Sequence, residues 1–292
     1  MTDSQQPASG IQRVGVLGCG LMGRGIAEVA AVRGFEVHVR EVSDDFLEKG
    51  MAALRGSMEK SVERGRMEPK VAEDALARLH GTTSLGDLRH CDLVIEAIIE
   101  DLDAKVQAFG ELDELLPDGA LLASNTSSLT VTQLAASTKR PDRFFGLHFF
   151  NPVPAMKLVE VVKTLMVSET TLEKAQSFVA ELGKESILCG DNSGFIVNRL
   201  LVPYLLDCIR AYENGVGSLE DIDRGMRLGC GYPMGPFTLL DFIGLDTTLS
   251  IAEIMFEEYR ETRFAPPPLL KQMVQAGRLG RKNGRGFYSY DK

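Results

Sequence analysis

His148 stands in an apolar stretch, FFGLHFFNP, and Glu160 in a second one, KLVEVV. A titratable side chain among strand-forming apolar residues is costly to bury unless a partner or ligand receives it. The stretches read as strands over 143–150 and 157–162, joined by the proline-rich NPVPAM. A turn at that join sets imidazole beside carboxylate. Such a carboxylate orients the ring and favours its protonated form, as a proton acceptor in catalysis requires. Two more polar groups interrupt apolar sequence: Ser124-Asn125-Thr126-Ser127-Ser128 follows a buried strand, and Asn198 lies within FIVNRLLVPYLL. Taken singly, each has a plainer account. His148 can be a satisfied core residue, Glu160 can pair with Lys157 or Lys163, and Asn198 can cap a neighbouring backbone group.

A different chemistry is written in RVGVLGCGLMGRGIA, where Gly18, Gly20 and Gly23 form G-x-G-x-x-G between a strand and a helix. The first glycine makes the tight turn, and the second lets backbone N–H groups approach a pyrophosphate at the helix N-terminus. The third lets helix and strand pack closely. Cys19, Leu21 and Met22 complete the loop. Glu41 ends the second strand, 18 residues beyond Gly23, where a carboxylate accepts the hydrogens of adenosine ribose hydroxyls. Its charge repels a 2′-phosphate, which favours NAD; neighbouring Arg40 leaves NADP as the alternative.

The elements that must position these groups alternate along the first half. Strands are expected at 13–17, 35–40, 92–98 and 120–125, with helices at 21–34, 44–64, 70–79 and 101–116. Such alternation implies βαβ units and a mostly parallel, Rossmann-type α/β sheet, with 44–79 as a helical insertion. After a last strand at 185–189 the pattern becomes helical: 195–214, 219–228, 236–243, 246–260 and 266–276, with a capping box at Ser218 and Asp221. The expected organisation is a flexible leader over 1–12, a cofactor domain over 13–192 and an all-α domain over 193–292.

Composition sets the outer limits. The 292 residues suffice for two domains. A net charge of −9 argues against nucleic-acid binding, and no apolar run reaches the ~18 residues of a membrane span. The start MTDSQQPASG lacks the features of a secretory signal. Five dispersed cysteines, with no CxxC, fit a reducing cytoplasm and give no metal-ligand spacing.

From Val14 to Tyr290 the chain resembles the L-3-hydroxyacyl-CoA dehydrogenases, especially their short bacterial 3-hydroxybutyryl-CoA type. The resemblance rests, in order, on GCGLMGRGIA, DLVIEAIIE, ASNTSSL, GLHFFNPVPAMKLVEVV, GFIVNRLL, GYPMGPFTLLDFIGLD and GRKNGRGFY. It implies reversible oxidation of an L-3-hydroxyacyl-CoA to the 3-oxoacyl-CoA, with His148 as base and Glu160 as its partner. It further implies that Ser127 and Asn198 hold substrate, and that Glu100, Lys105, Asn151 and Lys282 join the glycine loop, Glu41 and Ser127 around NAD. Ser57 and Arg64 match positions that contact the coenzyme A nucleotide, although interleaved Glu59, Glu63 and Glu68 also suit a solvated helix. The family pairs its C-terminal helices across a two-fold axis, which implies a homodimer. Two other readings stay open: a dehydrogenase of a free hydroxy acid or sugar acid, and a non-catalytic NAD(P)-binding protein.

Overall fold

The computed structural model describes residues 8–290. The chain forms two compact units, which divide between Asp191 and Asn192. Through the first unit run β1 (Arg13–Leu17), α1 (Leu21–Val32), β2 (Glu36–Arg40), α2 (Asp44–Glu63), α3 (Pro69–Ala77), β3 (Leu79–Thr82), β4 (Leu93–Glu96), α4 (Leu102–Leu115), β5 (Leu121–Ser124), α5 (Val131–Ala136), β6 (Phe144–Phe149), β7 (Leu158–Lys163), α6 (Glu169–Glu181) and β8 (Glu185–Gly190).

The strands form one sheet in the order β3-β2-β1-β4-β5-β6-β7-β8. Every neighbouring pair is parallel except β6 and β7. Its central strands are buried on both faces, as continuous apolar runs such as LVIE and LLAS require. Strand order reverses beside β1, so the loop that leaves β1 opens at a topological switch point. Local chemistry starts the helices. Ser43, Asp101 and Ser168 each accept a backbone N–H of the first turn of α2, α4 and α6.

Several elements differ from expectation. The helix expected over 70–79 ends at Ala77, and Leu79 instead begins an edge strand, β3, that the sequence pattern did not suggest and that parallel pairing with β2 creates. The helices α5 and α6 had no assignment. The six-residue α5 is started by a distant group, with Asp191 accepting the N–H of Val131 at 2.9 Å and of Thr132 at 2.5 Å. Residues 1–7 of the expected leader lie outside the described residues. From residue 9 the chain is held: Ile11 is buried in the core, and the Ser9 N–H and hydroxyl donate to Glu181 at 3.0 and 2.5 Å.

The second unit carries α7 (Val197–Glu213), α8 (Leu219–Gly229), α9 (Pro236–Ile243), α10 (Leu245–Tyr259) and α11 (Pro268–Gln275) around Leu205, Leu206, Phe237, Leu240 and Phe264. Ser218 caps α8 by accepting the Asp221 N–H at 3.1 Å. Its hydroxyl donates to the Asp221 carboxylate at 2.8 Å, so the box closes through the side chain of Ser218. Among the described residues no helix is long and apolar enough to cross a membrane, and no group of His, Cys, Asp or Glu is placed to hold a metal ion.

Candidate active site

The antiparallel register of β6 and β7 sets His148 opposite Glu160. Imidazole Nδ1 lies 2.6 Å from Glu160 Oε2, and the residues are 5% and 0% exposed. Gly146 lets the hairpin close, since a Cβ there would meet Val162 at 2.6 Å. The Phe150 ring meets the imidazole edge-on at 4.6 Å. With Nδ1 directed at a carboxylate, the ring is fixed in orientation and tautomer. Asn125 ties this strand to the loop after β5, its Oδ1 accepting the Phe149 N–H at 3.0 Å.

That loop carries Ser127, and a network of charges holds it. Glu100 Oε1 accepts from the Thr126 hydroxyl, from the Ser127 N–H at 3.2 Å and from the Ser128 hydroxyl at 3.0 Å. Lys105, 1% exposed, bridges Glu100 at 3.1 Å to Glu96 at 2.5 Å, and Ser124 donates to Glu96 at 2.6 Å. Burial pushes the Glu100 carboxyl up, but the Lys105 ammonium and the hydroxyl donors outweigh it and hold the group below the usual carboxylate range. Glu100 is thus an anion across the working pH range of most enzymes. Glu96 was missed from sequence, and Ser124 was noted only as the first residue of a polar run; the signal for Glu96 is an acid inside the buried strand DLVIEAI.

The glycine loop has the form a dinucleotide needs. Gly18 has φ +93°, and a Cβ on Gly23 would overlap the Gly18 oxygen at 1.9 Å. A Cβ on Gly20 would meet nothing within 4 Å. The N-terminus of α1 has no side-chain cap and no acid in its first turn, which leaves its N–H groups to an anion. Glu41 closes the loop, accepting the Cys19 N–H at 2.7 Å and the Val42 N–H at 2.9 Å. Burial, with the nearby Glu41 charge, pushes the Cys19 thiol up to about 11, so it stays a neutral thiol at ordinary pH. These residues fit NAD: N–H donors for pyrophosphate beside a carboxylate for ribose.

The first unit brings most of the expected residues to the carboxyl edge of one sheet. Leu21 and Met22 open α1. Asn151 follows β6 and precedes a cis peptide bond to Pro152. Ser57 and Arg64 lie on and at the end of α2, seven residues apart and so on one helical face. Asn198, in the first turn of α7, and Lys282, ion-paired with Asp246, belong to the second unit. Lys163, one of the alternative partners for Glu160, pairs with Glu169 instead.

Comparison with known proteins gives the family. Residues 13–192 match the 3-hydroxyacyl-CoA dehydrogenase NAD-binding domain, and residues 194–290 match the C-terminal domain of the same family. A 3-hydroxybutyryl-CoA dehydrogenase of Mycobacterium tuberculosis is 49% identical, over 96% of this chain and 99% of that protein. The human mitochondrial hydroxyacyl-coenzyme A dehydrogenase is 46% identical, over 96% and 91%. The crystal structure of (S)-3-hydroxybutyryl-CoA dehydrogenase from Ralstonia eutropha superposes with a TM-score of 0.91 at 42% identity, over 97% and 100%. The chain is a member of the 3-hydroxyacyl-CoA dehydrogenase family, an NAD-binding oxidoreductase acting on CH–OH.

Proposed function

We propose that the protein interconverts short-chain L-3-hydroxyacyl-CoA and 3-oxoacyl-CoA, with 3-hydroxybutanoyl-CoA as the substrate and His148 as the proton-transferring group. The observation that carries this reading is the buried contact between His148 and Glu160 on the sheet edge that also bears the glycine loop. The 3-hydroxybutyryl-CoA relatives support the chain length.

In the oxidative direction, neutral His148 takes the C3 hydroxyl proton at Nε2, and Glu160 stabilises the imidazolium that results. Bound NAD supplies the redox chemistry, as the acceptor of the C3 hydride. Ser127 hydrogen-bonds the reacting oxygen, and Asn198 supplies a second polar group to the substrate. The α1 N-terminus, Glu41, Glu100, Asn151 and Lys282 hold the cofactor. Lys105 lies too deep to touch a ligand through its ammonium and acts by fixing Glu100. Ser57 and Arg64 receive the coenzyme A nucleotide. The exposed apolar residues Leu200, Val216, Leu228 and Phe242 of the helical unit support a homodimer through that unit. The five cysteines, all free thiols, support a reducing, cytoplasmic location.

The test is NADH oxidation with acetoacetyl-CoA against free acetoacetate, in wild type and His148→Ala. We expect turnover of the thioester alone and a loss of about 10²–10⁴-fold in kcat for the variant. Turnover of the free acid alone removes the coenzyme A assignment. Equal rates in variant and wild type remove His148 as base.

A further inference from the structure

Lys184 follows α6 and immediately precedes β8, and its side chain turns into the protein: the residue is 8% exposed. Its ammonium donates to two backbone carbonyls, Val153 O and Met156 O, each at 2.6 Å. Among the described residues no carboxylate lies within ion-pair distance of it; the charged neighbour is Arg33 of α1, whose guanidinium donates to Leu182 O at 3.1 Å. A buried cation held by carbonyls alone is expensive, and it persists only where those carbonyls must be held. The C-terminal end of the α6 dipole offsets part of the cost.

Both carbonyls belong to the connection between β6 and β7. There Pro152 O accepts the N–H groups of Ala155 and Met156 at 3.0 Å, forming a tight turn. Val153 is buried against α1, where a Cβ on Gly25 would meet it at 2.9 Å. On the far side, the Glu185 N–H donates to Lys157 O at 2.8 Å, so the chain around Lys184 grips the turn and the start of β7 together. This turn carries Asn151 at one end and leads into the strand of Glu160 at the other. A cation binding two of its carbonyls therefore sets the end of one strand relative to the start of the next. Hydrophobic burial of Val153 alone would leave the turn free to rock, because dispersion contacts are non-directional whereas two charge-assisted hydrogen bonds are not.

We propose that Lys184 is a positioning residue of the dehydrogenase site: it clamps the 152–156 turn and so holds the Asn151 amide and the His148–Glu160 alignment in working geometry. The proposal rests on the function proposed above and extends it to a residue that touches neither substrate nor cofactor. A residue needed only for folding would lower the amount of active enzyme and leave the properties of each folded molecule alone. A positioning residue changes those properties.

The experiment compares wild type, Lys184→Met, Lys184→Gln and Lys184→Arg. It measures kcat and both KM values with acetoacetyl-CoA, NADH affinity by fluorescence titration, and thermal unfolding. Lys184→Met should raise the NADH dissociation constant about fivefold or more and lower kcat about tenfold, in protein that still unfolds cooperatively. Arginine, which keeps charge and donors, should recover most of both. Affinity and kcat within twofold of wild type in Lys184→Met overturn the proposal. So does a kcat loss that only tracks the unfolded fraction, with KM values and NADH affinity unchanged. Should the methionine variant not fold, Lys184→Gln decides by the same criteria. Wild-type inactivity on acetoacetyl-CoA would instead overturn the proposed function, which separates the two failures.

Discussion

The contact of Glu160 with His148 in the first unit and two buried aspartates of the second do different work. In the first, Glu160 is fully buried on a sheet strand and directs an oxygen at one side chain, the His148 ring, which can itself gain or lose a proton. In the second, Asp223 and Asp241 spend their oxygens on groups that do not titrate at ordinary pH. Asp223 accepts the N–H of Phe237 at 2.7 Å and of Thr238 at 3.0 Å at the start of α9, then the Thr238 hydroxyl at 2.6 Å. Asp241 accepts the N–H of Phe287 at 2.8 Å and of Tyr288 at 2.9 Å, and so pins these two residues to α9. Gly235 and Gly286 admit these carboxylates, since a Cβ on either would fall within 2.3 Å of the aspartate it faces. Burial and charge are alike in both units. The named contacts differ in kind: a carboxylate on a titratable ring favours that ring's protonated form, whereas one on backbone donors replaces missing secondary-structure bonds.

The comparison fails most visibly if Glu160 proves merely structural. Glu160→Gln keeps shape and removes the charge that stabilises an imidazolium, so kcat should fall about 10²-fold or more while the unfolding temperature moves by only a few degrees. Steady-state kinetics beside calorimetry checks this, and a rate near wild type would erase the distinction. Asp223→Asn should show the reverse. It sets an amide against backbone donors and costs about 2–3 kcal/mol of stability, read from urea midpoints, while the folded enzyme keeps kcat within about twofold. The smallest effect sharpens the contrast with a group of the first unit outside the active site. His38 stacks on His80 with ring centroids 4.9 Å apart. Burial, then the neighbouring His80, lowers its pKa, Arg13 adding to the effect and Glu36 and Asp87 opposing it. The folded state therefore prefers neutral His38. The stability this confers is present above the unfolded value of about 6.5 and is lost as pH falls through the lower folded value. Unfolding measured from pH 7.5 to 5 should decline less steeply in His38→Asn, and identical slopes would show that this histidine contributes nothing.

Much of the site was legible because its signals are local. Alternation in LHFF and VEVV, with prolines between, was enough to expect a hairpin that pairs His148 with Glu160, and their register does place them opposite. The glycine loop was equally readable, since strand, turn and helix follow one another directly. The network behind Ser127 was not. It joins Glu96 on β4, Lys105 on α4 and Ser124 on β5, and only the parallel pairing of β4 with β5 brings them together. The same reason hid α5, whose first turn is held by Asp191, sixty residues away. Strand β3 was hidden for the same reason: the helical pattern over 70–79 gives no sign of a strand at its end, and only pairing with β2 makes residues 79–82 one.

By itself the sequence determined which residues are strand and helix where periodicity is strong, where a dinucleotide loop must lie, and which polar groups are too costly to bury without purpose. These are consequences of side-chain spacing and backbone sterics, which act over a few residues. Only the tertiary structure decided which charge meets which. Glu160 took His148 and left Lys163 to Glu169, Lys105 took two carboxylates, and Lys184 took none and settled on two carbonyls. Partners of that kind depend on how strands and helices come together, and a charge that could pair equally well along the chain is assigned only when burial limits the groups within its reach.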